Sequence, residues 1–288
     1  MPGAPPRTAT APIDYLVVGH VCVDELPAGE EQLGGTAAYA ALAAQRLGWR
    51  VGVVTSAAPD LDLAAALPGV AVQCVPAAAT TRYRHTRQAG TRQLTLRARA
   101  APLTLDAVPA AWRAPRIVHL APIAAEVEPE LARALPAAFR AATVQGWLRG
   151  WDADGQVYPL PCGDLPFLLG RLDALVVSRE DLAGEPWGTA PLGAISPRVA
   201  LTLGAAGVAV YAPGCHQVVP ACPAVACDPT GAGDVFAAVW FVRLAAGEPP
   251  LAAARYAAAA AACTVERAGL AGVPTPAEIE ERLRAWAR

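Results

Sequence analysis

The chemistry of this 288-residue chain is concentrated in one run, Asp228-Pro229-Thr230-Gly231-Ala232-Gly233-Asp234. It stands directly before an apolar segment that reads as a helix. The amides of Gly231, Ala232 and Gly233 would point out of that helix N-terminus, where unpaired N–H groups and the helix dipole favour an anion. Small side chains let a phosphate approach the backbone closely. Asp234 lies within the first turn. A carboxylate there either compensates the dipole or takes a proton from a nucleophile beside the anion, a contribution of about 10²- to 10⁴-fold in rate.

Further residues attract notice by position. Gly19-x-x-x-x-Asp24 follows an apolar run, and Gly34-Gly35 precedes an alanine-rich segment containing Tyr39. Gln145-Gly146-Trp147-Leu148-Arg149, Ser178-Arg179-Glu180-Asp181 and Thr202-Leu203-Gly204-Ala205-Ala206-Gly207 all lie after or at the end of apolar runs. Taken alone, each is a turn or a surface arginine. Cys215, His216, Cys222 and Cys227 lack the close paired spacing of a zinc site and read as core packing. Seven cysteines, scattered and odd in number, suggest reduced thiols in a cytoplasmic protein.

The elements that must position these residues alternate. Short apolar strands at Tyr15–Val18, Val51–Thr55, Val70–Val75, Ile117–Leu120, Leu175–Val177 and Val199–Leu203 are interleaved with helical segments. This argues for α/β architecture with a sheet covered on both faces. Helices are expected at Thr36–Leu47 (closed by Gly48), Pro129–Phe139 (kinked at Pro136), Ala232–Leu244, Leu251–Glu266 and Pro276–Ala287, with a hairpin at Val208–Tyr211 and Gln217–Val219. Between Thr80 and Arg99, six arginines and alternating polarity around Ala89-Gly90 read as an exposed hairpin. Met1 to Pro12, rich in Pro and Ala, reads as a flexible N-terminal segment without an export signal. No apolar run is long enough to span a bilayer, and a net charge of −2 offers no field for nucleic acid.

Composition excludes several mechanisms. All 23 basic residues are arginine, and the chain has neither lysine nor asparagine. A Walker-type NTPase, a eukaryote-type protein kinase and Schiff-base enzymes each need a lysine. No G-x-G-x-x-G follows the first strand, which argues against a nicotinamide dehydrogenase.

The run Asp228 to Phe236 resembles the C-terminal signature of the PfkB or ribokinase-like carbohydrate kinases, which transfer phosphoryl groups from ATP without a Walker lysine. The resemblance spans roughly Tyr15 to Gly272. It implies a Rossmann-like α/β/α sandwich of about nine strands, one kinase domain over 13–288, with a small β-sheet lid formed by 21–25 and 80–99. It makes Asp234 the catalytic base and Gly231, Ala232 and Gly233 the anion hole. Asp24, Gly34 and Gly35 inherit acceptor binding, as does Tyr39, which stands where the family has an asparagine. Arg149 would face acceptor or transferring phosphate. Ser178, Thr202, Gly204 and Gly207 inherit nucleotide contacts. Asp181, with Glu180 as competitor, would order Mg²⁺ through water, and Asp228 and Thr230 would serve a monovalent cation such as K⁺.

Within the family the likeness is to myo-inositol kinase-like members: Val-Val-Gly-x-x-x-x-Asp, a Gly-Gly helix start without the asparagine, Gln-x-x-x-Arg, Ser178, and Asp-Pro-Thr-Gly-Ala-Gly-Asp. The expected activity is ATP-dependent phosphorylation of a sugar or polyol hydroxyl by a monomer or homodimer, with no nucleic-acid or membrane partner. Two alternatives stand beside it. One is a nucleoside kinase with Tyr39 and Trp147 stacking a base; the other is a catalytically silent ligand sensor.

Overall fold

In the computed structural model the described residues are 12–27, 29–88, 91–169, 172–182 and 191–287. The expected flexible segment at 1–12, except Pro12, and the Ala89-Gly90 turn lie outside them. The chain forms β1 (Tyr15–Val18), β2 (Cys22–Glu25), β3 (Glu31–Gly34), α1 (Thr36–Arg46), β4 (Val51–Ala57), α2 (Leu63–Ala66), β5 (Ala71–Pro76), β6 (Thr81–Gln88), β7 (Thr91–Ala98), β8 (Ile117–Leu120), α3 (Leu131–Ala134) and β9 (Phe139–Thr143). It continues with β10 (Arg149–Trp151), β11 (Val157–Pro159), α4 (Leu165–Leu169), β12 (Ala174–Ser178), β13 (Val199–Thr202), β14 (Val208–Ala212), β15 (Cys215–Val219), α5 (Ala232–Ala245), α6 (Pro250–Val265) and α7 (Pro276–Trp286).

Nine strands make the main sheet, in the order β15-β14-β13-β12-β9-β8-β1-β4-β5. The pairs from β12–β13 across to β4–β5 are parallel; β14 and β15 add an antiparallel edge. Alternate residues of β1 enter opposite cores. Tyr15 and Val17 pack with α1, α5 and α6; Leu16 and Val18 pack with Trp112, Leu131, Leu148 and Leu169. Burial on both faces is why these strands are continuously apolar rather than alternating. Alanines do much of the helix packing: Ala37, Ala38, Ala40, Ala41 and Ala44 of α1 and Ala253, Ala254, Ala257, Ala259 and Ala260 of α6 are fully buried. Their small side chains permit close approach of helix to helix and helix to sheet.

The helix expected at Pro129–Phe139 is a single turn, Leu131–Ala134. Proline disfavours the helical region for the residue before it. Leu135, preceding Pro136, accordingly adopts φ −101 and ψ 106, and the chain is extended into β9 by Phe139.

A second sheet has the order β3-β2-β6-β7. Its fourth strand, β3, carries no strand signal in the sequence. The arginine-rich alternation is resolved by its two faces. Thr81, Tyr83 and His85 of β6 are buried, whereas Arg84 is exposed. On the outer face Arg82 pairs with Glu31 at 2.5 Å and Arg84 with Glu25 at 2.8 Å. Arg99 donates to the carbonyls of Ala124 and Ala125 and lies over the Trp151 ring. The hairpin's positive charge is therefore answered in part by acids of its own sheet.

Two buried side chains root this sheet on the main one. His20, just after β1, accepts from the Thr81 hydroxyl at Nδ1 and donates from Nε2 to the Ala101 carbonyl. Glu126 accepts from the amides of His20, Ile123 and Ala124. A buried carboxylate is stable here because backbone N–H groups from two loops replace its water.

Candidate active site

The ends of β1, β9 and β12, the start of α1 and the start of α5 converge. Gly231 is the N-cap of α5 with φ 79 and ψ −7, and no side chain caps this helix. Only glycine adopts that left-handed conformation without penalty. A Cβ at Gly231 would also meet the Tyr39 ring at 2.2 Å, so glycine is required twice over. At Gly233 a Cβ would meet nothing within 4 Å: the space before the helix is open. The Ala232 amide reaches only the Pro229 carbonyl, at 3.4 Å. The first turn thus presents N–H groups without helical partners to open space, a seat for an anionic group.

Asp234 is held by a relay that sequence reading missed. The Thr36 hydroxyl, at the first position of α1, donates to Asp234 Oδ1 at 2.7 Å. Gln145 Nε2 donates in turn to Thr36 Oγ1 at 2.6 Å. Gly35 positions Thr36: its φ is 91, and a Cβ there would lie 2.6 Å from the His20 carbonyl. Desolvation pushes the Asp234 carboxyl up to about 6, against the lowering influence of the Thr36 hydrogen bond and Arg149; Asp181 and Asp24 add to the rise. A carboxylate with that affinity for protons is a better base near neutral pH than an ordinary aspartate.

Arg149 and Asp181 form a second, largely buried unit. Arg149 Nη2 donates to Asp181 Oδ1 at 2.8 Å, and the Ser178 hydroxyl donates to Asp181 Oδ2 at 2.5 Å. Burial opposes the charge of Arg149, but Asp181 outweighs it and holds the guanidinium above its ordinary value. Of the two acids at this corner Asp181 is buried and Glu180 exposed. With both oxygens hydrogen-bonded, Asp181 suits an acceptor for metal-bound water better than a direct Mg²⁺ ligand. Ser178 and Thr202 are register partners at the ends of β12 and β13, and Gly204 to Gly207 form the turn beyond.

Asp228 organises the loop before α5. Its Oδ1 accepts from the Thr230 amide at 2.9 Å; its Oδ2 accepts from Gln32 Nε2 and the Gly269 amide, both at 3.1 Å. Burial works to raise its pKa, yet these hydrogen bonds outweigh burial and hold it below the ordinary value. Three N–H donors hold this carboxylate, so it serves as a clamp on the loop.

Asp24 lies on the buried face of the second sheet, 5% exposed, with His85 Nε2 2.9 Å from its Oδ1. Gly34 and Gly35 are adjacent, the first directly opposite Cys22 in register. Tyr39 departs from expectation. It is fully buried behind Gly231 and is no surface for an acceptor or a base. Burial, with Asp228 and Asp234, pushes its phenol above the ordinary range, so it stays protonated. Trp147 likewise packs into the second core and donates from Nε1 to the Val127 carbonyl. The stacking pair on which a nucleoside reading rested is therefore absent at these two residues.

Residues 187–277 match the model of the pfkB family carbohydrate kinase. No curated protein matches the sequence. The fold is shared with solved structures. One is a pyrophosphate-dependent kinase in the ribokinase family, complexed with a pyrophosphate analog and myo-inositol: 21% identity, TM-score 0.76, covering 93% of this chain and 99% of that one. Another is Arabidopsis thaliana ribokinase complexed with ribose and ATP: 20% identity, TM-score 0.71, covering 95% and 99%. A third is the Methanocaldococcus jannaschii nucleoside kinase: 17% identity, TM-score 0.70, covering 95% and 99%. The likeness to PfkB or ribokinase-like carbohydrate kinases read from the motifs thus agrees with a family match over the C-terminal part and with a ribokinase-like fold throughout. Among the described residues no helix is long and apolar enough to cross a membrane.

Proposed function

We propose that this ribokinase-fold chain is a small-molecule kinase that transfers the terminal phosphoryl group of ATP to a hydroxyl of a sugar or polyol, myo-inositol or a related cyclitol. The observation that carries the reading is Asp234, held by Thr36 beside the uncapped N-terminus of α5. In that arrangement Asp234 takes the acceptor's hydroxyl proton as the oxygen attacks the terminal phosphorus. The bond from phosphorus to the leaving phosphate oxygen breaks, and the leaving group departs as ADP. The first-turn amides of α5 stabilise the charge on the phosphoryl oxygens. Arg149, fixed by Asp181, adds positive potential at the same place. Mg²⁺ on the donor's phosphates would neutralise further charge, with Asp181 ordering its water. Asp24 and the Gly34-Gly35 backbone orient the acceptor, and the second sheet excludes water from the transfer.

Pyrophosphate is the second donor reading, favoured by the fold shared with a pyrophosphate-dependent kinase. The test is donor consumption with ATP and with pyrophosphate, each against myo-inositol, other cyclitols, ribose, fructose and adenosine. Acceptor-dependent turnover that Asp234→Asn abolishes is the expected result. Turnover surviving in that variant, or no turnover with any pair, would overturn the assignment.

A further inference from the structure

The buried face of the second sheet holds a titratable side chain, His85, that the catalytic reading does not use. β6 alternates strictly, so Tyr83 and His85 share the face on which Asp24 lies. His85 Nε2 stands 2.9 Å from Asp24 Oδ1, and the Cys22 thiol approaches the same oxygen at 3.7 Å. An ionised carboxylate only accepts, so Nε2 carries the proton in this contact. The histidine and the thiol therefore both engage Oδ1. Oδ2 lies instead at the Gly34 corner, where a Cβ would come within 2.5 Å of it. Glycine at 34 keeps that oxygen clear.

We infer that His85 is a positioning residue for acceptor recognition: it fixes Oδ1 of Asp24 so that Oδ2 accepts a hydroxyl of an uncharged acceptor. The inference rests on the kinase reading above. Charge favours an uncharged acceptor. Asp24 and Asp234 are both carboxylates, and Arg149 is already paired with Asp181. On the same sheet Arg82 and Arg84 are committed to Glu31 and Glu25 on the opposite face. A phosphorylated sugar would thus meet two carboxylates, while Arg149, Arg82 and Arg84 are each already paired with an acid. A neutral polyol meets two acceptors for its hydroxyl protons.

The experiment compares wild type, His85→Leu and His85→Gln in steady-state kinetics with the best neutral acceptor and its phosphorylated analogue. His85→Leu is expected to raise the acceptor KM by about tenfold or more, the loss associated with a hydrogen bond to a charged group. Donor KM and donor hydrolysis without acceptor stay at wild-type values. His85→Gln keeps a side-chain N–H and is expected to recover most of the acceptor KM. The phosphorylated analogue is expected to be a poor substrate for wild type. An unchanged acceptor KM in an active His85→Leu enzyme overturns the inference and leaves the kinase reading intact. Equal damage to donor and acceptor parameters, unrelieved in His85→Gln, overturns it in favour of a merely structural role. Wild type inactive with every acceptor overturns the kinase reading itself.

Discussion

Thr36→Val tests the link between the fold and the base. Valine is nearly isosteric with threonine but cannot donate to Asp234, and it removes the acceptor for Gln145. In the native protein desolvation holds the Asp234 carboxyl at about 6 in spite of the Thr36 hydrogen bond, which opposes the rise. Removing that bond must push the value further up. A hydrogen bond to a charged group is worth about 1.5–3 kcal/mol, which corresponds to a rise of roughly 1–2 pH units. The fraction ionised near pH 6 then falls from about one half to between about a tenth and a hundredth. The acid limb of kcat/KM should move up by the same interval. The rate at about pH 6 should drop roughly 5- to 50-fold, while the rate at about pH 8.5 stays close to wild type. The assay is donor consumption from pH 5 to 9 at saturating donor, with thermal unfolding at each pH to verify folding. An acid limb that stays in place, with activity lowered equally at every pH, would refute the reasoning: Asp234 would then not be the titrating base, or Thr36 would not tune it.

Two further outcomes follow from the same geometry. Because the folded Asp234 carboxyl binds its proton more tightly than an ordinary aspartate, its contribution to stability is full below about pH 4 and is lost as pH rises through about 6. Asp234→Asn should therefore raise the melting temperature at pH 8 relative to wild type, with the difference vanishing near pH 4; a difference of the same size at both pH values would contradict the assigned shift. Gly231→Ala places a Cβ 2.2 Å from the Tyr39 ring in a left-handed backbone. It should destabilise by about 2–5 kcal/mol, from roughly 1–2 for the conformation and 1–3 for overpacking, as read by urea unfolding. Measured against Tyr39→Ala alone, Gly231→Ala should cost only the conformational part, and no cost in that background would show that the backbone conformation costs nothing.

The sequence carried the sheet and the glycine-rich start of α5 because both depend on local signals. Apolar runs bounded by glycine marked β1, β4, β12 and β13, and small residues before an apolar helix marked Gly231 to Asp234. What it did not carry depends on partners far along the chain. Thr36 reads as an ordinary helix start until β9 brings Gln145 to it and α5 brings Asp234, 198 positions away. Asp181 reads as a metal-ordering acid, but nothing near it in sequence tells that the chain beyond β9 brings Arg149 beside it. Tyr39 stands at a position the family uses for substrate, yet the missing Cβ of Gly231 creates the space its ring fills. His85 has no motif at all; only strict alternation along β6 and the pairing of β2 with β6 put it on Asp24. Pro136 signals a kink in the sequence, whereas the extended Leu135 before it ends the helix.

The Gln32 amide on Asp228 has a mechanical meaning. Gln32 belongs to β3 of the second sheet, and Asp228 clamps the Thr230 amide in the loop that leads into α5. Lifting that sheet from the main one would break this bond and leave the half-buried carboxylate to water and its two backbone donors. The cost falls on the same loop that shapes the phosphate seat. The second sheet and the loop before α5 are therefore tied by a side-chain bond, so a displacement of one would be felt by the other.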